Sequence, residues 1–213
     1  MKRIYLASAG CLVISAIVGR MAVKPGSRVL FVITAAECEA GDWPWIRADR
    51  DAWSEIGMET VDYSIVGKSP AKIARDIDEA DILYIAGGNT FYLLEKIQET
   101  GCADLIRTAV LQGKPYVGSS AGCVVAGPDI YPTYRRDDVE KAPGLMGYKG
   151  LSLVDFVALP HWGNEYNRDF YLNQRLPLAI TLPQKYLLLR DDQYIEVLND
   201  FYRIIDSPLF TSA

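Results

Sequence analysis

Ser120 stands in Gly118-Ser119-Ser120-Ala121-Gly122, a G-x-S-x-G pentapeptide. A hydroxyl there can act as a nucleophile if the chain turns sharply and a helix starts just beyond it. The flanks suit such a turn: Tyr116 and Val117 read as the end of a buried strand, and Cys123-Val124-Val125-Ala126 as small apolar residues of a helix. Ser120 would then lie near a helix N-terminus, where free N–H groups and the dipole favour negative charge. Acyl transfer needs those features, but the same pentapeptide also occurs in plain strand-to-helix turns. A base and an acid must therefore come from elsewhere.

The chain has one histidine, His161, directly after an apolar strand at 155–159 and Pro160. It is the candidate base. A carboxylate is needed to fix the tautomer of the imidazole and to support the imidazolium. Asp191 and Asp192 follow a strand at 186–189, while Asp137 and Asp138 compete from the connection between the serine and the histidine. Residue chemistry alone does not separate the two pairs. The Gly87-Gly88 turn offers backbone N–H groups free of side-chain cover, which with the N–H of Ala121 could bind an oxyanion. Cys123 is an alternative nucleophile, but it falls inside the helix after the turn.

These groups need elements to hold them. Apolar runs at 28–33 and 81–86 read as buried parallel strands, and 4–7, 60–65 and 116–117 complete the series. Helices are expected over 46–56, from Ser69-Pro70 through 80, over 91–100 and over 103–111, with 35–45 as a loop. This alternation predicts a mostly parallel sheet covered on both faces. Ligands bind such sheets beyond the carboxyl ends of the strands, where Gly87–Thr90 and Ser120 both fall. After a long polar connection at 129–150, a helix is expected within 167–179. Short strands follow at 186–189, 194–198 and 201–205, with Asn199-Asp200 as a hairpin turn.

Composition narrows the classes. Half the residues are hydrophobic and 23% are charged, a globular balance for a chain of 213 residues. Net charge is −5 and no Lys/Arg run stands out, which argues against nucleic acid as a partner. Cys11, Cys38, Cys102 and Cys123 are scattered without C-x-x-C spacing, so a zinc site is not expected and reduced thiols in the cytoplasm are. Met1-Lys2-Arg3 and the apolar residues to Val18 imitate a secretory signal. We read them instead as a first strand and a helix through Met21, too short and too charged at its end to span a membrane.

Gly87-Gly88-Asn89-Thr90-Phe91, the Ser120 pentapeptide followed by Ala126-Gly127-Pro128, and Leu159-Pro160-His161 together resemble the dipeptidase E (aspartyl dipeptidase) family of serine peptidases, with cyanophycinases as more distant relatives. The resemblance covers nearly the whole chain, and so implies one catalytic domain over 1–213. It implies a three-layer α/β/α sandwich related to class I glutamine amidotransferases, with a mostly parallel central sheet and a C-terminal β-hairpin. It also implies a Ser-His-Glu triad. By position, Ser120 is the nucleophile, His161 the base, and Gly88 and Ala121 the oxyanion donors. Asp191 falls where the glutamate is expected, a departure that asks the shorter side chain to come closer or Asp192 to take the role.

The implied activity is hydrolysis of dipeptides or short peptides at the N-terminal residue through an acyl-enzyme, without metal or organic cofactor, in a monomer or homodimer. The Gly-Glu-Thr-Arg stretch of aspartyl-specific members is replaced here by Gly163-Asn164-Glu165-Tyr166-Asn167-Arg168. Asp-X is therefore one candidate substrate class and other small N-terminal residues are equally open. Asn89, Thr90, Arg168 and Arg175 are the candidate substrate contacts. An esterase or amidase on the same elbow, and a non-catalytic small-molecule or peptide-binding homologue, are the rival readings.

Overall fold

The computed structural model describes residues 1–21 and 23–207, without the side chain of Asp137. Nine strands are seen among them: β1 (Arg3–Ala7), β2 (Arg28–Val32), β3 (Glu59–Tyr63), β4 (Ile82–Ile85), β5 (Tyr116–Ser119), β6 (Phe156–Pro160), β7 (Lys185–Leu189), β8 (Gln193–Leu198) and β9 (Phe201–Asp206). Seven of these form one sheet in the order β3-β2-β4-β5-β1-β8-β9. From β3 to β1 all neighbours are parallel, while β8 runs antiparallel to β1 and β9 antiparallel to β8. Asn199 adopts φ 54° in the β8–β9 turn, as a tight hairpin requires.

The central strands are apolar throughout because each face is covered. Ile4, Leu6, Leu83 and Ile85 point to one side, under α3 (Pro70–Glu79), α4 (Thr90–Thr100), α5 (Ala103–Leu111) and α6 (Ala121–Val125). Tyr5, Ala7, Ile82 and Tyr84 point to the other, under α1 (Gly10–Val18) and α2 (Pro44–Glu55). The result is a three-layer α/β/α sandwich with a mostly parallel sheet and a C-terminal hairpin.

Local signals set several boundaries. The Ser69 side chain accepts from the Lys72 N–H and Pro70 opens α3, as read from sequence. The left-handed Gly101 (φ 65°) closes α4. Elsewhere the structure differs. Pro44, expected in a loop, is the first residue of α2, and Thr34–Ala36 form a 3₁₀ turn. The first helix ends at Val18 rather than reaching Met21. The helix expected within 167–179 is a composite, with a π-helical turn at Tyr171–Arg175 between short α-helical pieces.

Strands β6 and β7 stand outside the central sheet. They form a separate parallel pair, with Pro160 opposite Leu189. Phe156 and Ala158 face the main core, while Val157 and Leu159 pack with Tyr171 and Ala179 in a smaller one. Two sheets thus deliver their carboxyl ends to one rim.

Candidate active site

The central sheet supplies the hydroxyl. Ala7 and Ser119 are register partners, so Ser8 and Ser120 leave adjacent parallel strands side by side. Ser120 takes φ 47°, ψ −103°, a conformation that costs energy for a non-glycine residue. Two backbone bonds hold it there, from the Ser120 N–H to the Ala7 carbonyl and from the Val124 N–H to the Ser120 carbonyl, both 3.0 Å. Gly122 is required by space: a Cβ there would overlap the Ile85 carbonyl oxygen.

The smaller sheet supplies the imidazole and the carboxylate. Because Pro160 opposes Leu189, His161 and Asp191 emerge together. Ser120 Oγ lies 2.9 Å from His161 Nε2, and His161 Nδ1 lies 2.7 Å from Asp191 Oδ1. Asp191 Oδ1 also accepts from the Ser8 hydroxyl at 2.6 Å, and Oδ2 from Asn164 Nδ2 at 3.4 Å. Burial pushes the Asp191 carboxyl up, but the His161, Ser8 and Asn164 donors outweigh it and hold it down at about 2. It is ionised at neutral pH. Serine hydrolases use such a linked hydroxyl, imidazole and carboxylate to make a serine nucleophilic.

Among the described residues, no rival carboxylate is bonded to His161. Asp192 is paired with Arg190 at 3.0 Å. Asp138 lies on α7 (Arg136–Val139), where burial pushes its carboxyl up. The Asp137 side chain lies outside the described residues. Cys123 is fully buried in α6, and burial drives its thiol far above the usual range, away from a thiolate.

A cavity of about 290 Å³ opens at Ser120 and His161, walled by Gly87, Gly88, Trp45 and the start of α1, with Asp49 and Cys11 at its edge. Gly88 takes φ 142°, and a Cβ there would overlap the Ala35 carbonyl oxygen. The Trp45 indole N–H donates to the Gly87 carbonyl at 3.3 Å, and trans peptide geometry then aims the Gly88 N–H away from the indole. Among the described residues, neither the Gly88 nor the Ala121 N–H has an acceptor.

The candidate substrate contacts are more scattered. The Asn89 side chain is committed to structure: Oδ1 accepts from the Phe91 and Tyr92 N–H groups and caps α4, and Nδ2 donates to the Asp138 carbonyl. Thr90 opens α4 and does not line the cavity. Arg168 lines a second cavity of about 400 Å³ with Trp162, Glu165 and Tyr171. Arg175 stacks on Phe170 and Tyr171, 4.9 and 4.7 Å from their ring centroids. Among the described residues, no lysine or arginine lines the Ser120 cavity.

Sequence reading missed Ser8, Trp45 and Asn164. Ser8 sits in an unremarked Ala7-Ser8-Ala9-Gly10 run, and only its place after β1, at the carboxyl edge, could have flagged it.

Known proteins resemble the chain in sequence and in fold. An uncharacterized peptidase of Pasteurella multocida is 30% identical over 164 residues, 77% of this chain and 79% of that protein. One of Listeria innocua is 36% identical over 139 residues, 65% of this chain and 66% of its own length. A Peptidase E of Nostoc is 35% identical, but the match spans only 44% of that protein. A solved structure from Listeria monocytogenes EGD-e, named as a candidate peptidase E protein, superimposes with a TM-score of 0.88 at 27% identity, covering 97% of this chain and 98% of the other. The profile of Peptidase family S51 matches residues 11–205. The chain belongs to Peptidase family S51.

Proposed function

We propose that the chain is a serine peptidase, one catalytic unit, that releases the N-terminal residue from dipeptides or short peptides. The observation that carries this reading is the continuous hydrogen-bonded path from Ser120 Oγ through His161 to Asp191. Ser120 attacks the carbonyl of the first residue as His161 Nε2 takes its proton. Asp191 stabilises the imidazolium that results. The Gly88 and Ala121 N–H groups receive the oxyanion. His161 then protonates the leaving amine, and water, deprotonated by His161, releases the acyl group.

The cavity bears on substrate class. Among the described residues, its ionisable neighbours besides His161 are Asp49 and Cys11, and none is a lysine or arginine that would pair with an acidic side chain. A buried carboxylate without a partner is costly. A small uncharged N-terminal residue suits this cavity better than aspartate. All four cysteines are free thiols, which suits a reducing compartment such as the cytoplasm.

The test is a dipeptide library assayed with the wild type and with Ser120→Ala, alongside a fluorophosphonate label. Turnover and labelling that both vanish in the variant support the reading. Ester hydrolysis without peptide hydrolysis would make the protein an esterase, and no adduct on Ser120 would make it a binding protein.

A further inference from the structure

We infer that Ser8 is a positioning residue of the candidate site, whose hydroxyl accepts from the His161 backbone N–H and donates to Asp191, and so holds imidazole and carboxylate in the geometry that leaves Nε2 bare toward Ser120. The inference rests on the peptidase reading for its purpose, though not for its geometry.

Donor and acceptor counting leads there. The His161 backbone N–H donates to Ser8 Oγ at 2.7 Å. An N–H can only donate, so Ser8 is the acceptor in that bond. Ser8 Oγ also lies 2.6 Å from Asp191 Oδ1. An ionised carboxylate can only accept, so the one Ser8 hydrogen points there. None remains for His161 Nδ1, 3.5 Å from the same oxygen. Nδ1 therefore meets its partner, Asp191 Oδ1 at 2.7 Å, as a donor. The neutral ring must then carry its proton on Nδ1, and Nε2 keeps its lone pair for the Ser120 hydroxyl 2.9 Å away.

The same two bonds fix the ring in space. His161 has φ 66°, which a residue other than glycine holds only when its surroundings impose it. The bond from its N–H to the fully buried Ser8 is one such constraint. It also ties the smaller sheet to the end of β1. Removing the hydroxyl frees the His161 N–H and withdraws a donor from Asp191. Both changes loosen the base.

Because the chain has one histidine, the ring can be read directly. We would label the protein with ¹⁵N-histidine and record the imidazole nitrogens of the whole chain, at a pH where titration shows the ring neutral. Kinetics on the best dipeptide would run in parallel. In the wild type the proton is expected on Nδ1. In Ser8→Ala the carboxylate still takes the Nδ1 proton, but the loosened ring is expected to show shifted or broadened imidazole nitrogen resonances, with kcat down roughly tenfold or more and KM within about twofold.

Ser8→Cys, which keeps the volume and donates weakly, should move the same way and carries the test if Ser8→Ala does not fold. A wild-type ring protonated on Nε2 overturns the inference. So does a folded variant with an unchanged nitrogen spectrum, or one whose rate loss lies wholly in KM. Absence of peptide turnover in the wild type would end the peptidase reading but leave the tautomer result standing.

Discussion

Pro160 and Leu189 face each other across the β6–β7 pair, and this register brings His161 and Asp191 within 2.7 Å although 30 residues separate them. Asp192 lies one residue further on, and its side chain goes instead to Arg190. Asp191→Asn should therefore lower kcat/KM by roughly 10²- to 10⁴-fold, since an amide can orient the ring in the wrong tautomer. Asp192→Asn should cost no more than about threefold, as expected of a partly exposed ion pair. Steady-state kinetics on both variants check this, and equal losses would place the acid elsewhere.

Two carboxylates, half-buried Asp191 and buried Asp49, should tilt stability in opposite directions with pH. Asp191 is lowered from 3.8 to about 2, so between those values the folded chain holds fewer protons than the unfolded one. Its contribution is complete above about pH 4 and is lost as pH falls toward about 2. Asp49 is raised from 3.8 to about 6, chiefly by burial, against the pull of Tyr84 and Cys11 as donors. The folded chain then holds the extra proton, and stability falls as pH rises from about 4 to about 6. Melting temperatures should show Asp191→Asn flattening the lower limb and Asp49→Asn the upper one. An Asp49→Asn curve parallel to wild type over the upper range would mean that burial does not penalise this carboxylate.

Gly88→Ala should destabilise the protein by about 2–4 kcal/mol. Its φ of 142° strains any side chain, and the new methyl would strike the Ala35 carbonyl. Folded material should also lose kcat, because the Gly88 N–H is one of the proposed oxyanion donors. Denaturant melts and kinetics at low temperature separate the two effects. A stable, fully active variant would remove Gly88 from the site.

Substrate preference follows from the wall of the cavity. Dipeptides beginning with Gly, Ala or Ser should be cleaved at least about tenfold faster than Asp-X, a difference of ~1.4 kcal/mol in transition-state binding. Competition between Ala-X and Asp-X in one reaction measures this ratio. A preference for Asp-X would require a cation, such as Arg175 or Arg168, to swing into a cavity that neither lines.

The parallel core was legible because its signals are local. The apolar runs of β2 and β4, the Ser69-Pro70 start of α3 and the Asn199-Asp200 turn each declare themselves within a few residues. The elbow was legible for the same reason. The choice between Asp191 and Asp192 was not, because adjacent residues point different ways and only the β6–β7 register decides which one turns inward. Asn89 carries a local signal of a different kind. A polar residue just ahead of an apolar helix is a capping signal, and its side chain caps α4. Ser8 was hidden because nothing in its neighbourhood differs from an ordinary strand end.

The proposed nucleophile belongs to one sheet and the proposed base and acid to another, and the seam between them carries the Ser8 bonds. A slip of the small ribbon by a fraction of a residue would silence the chemistry while the large sheet stayed intact. Mild heat or low denaturant should then extinguish turnover well before the far-ultraviolet dichroism changes. The protein is in effect a reporter on its own inter-sheet contact.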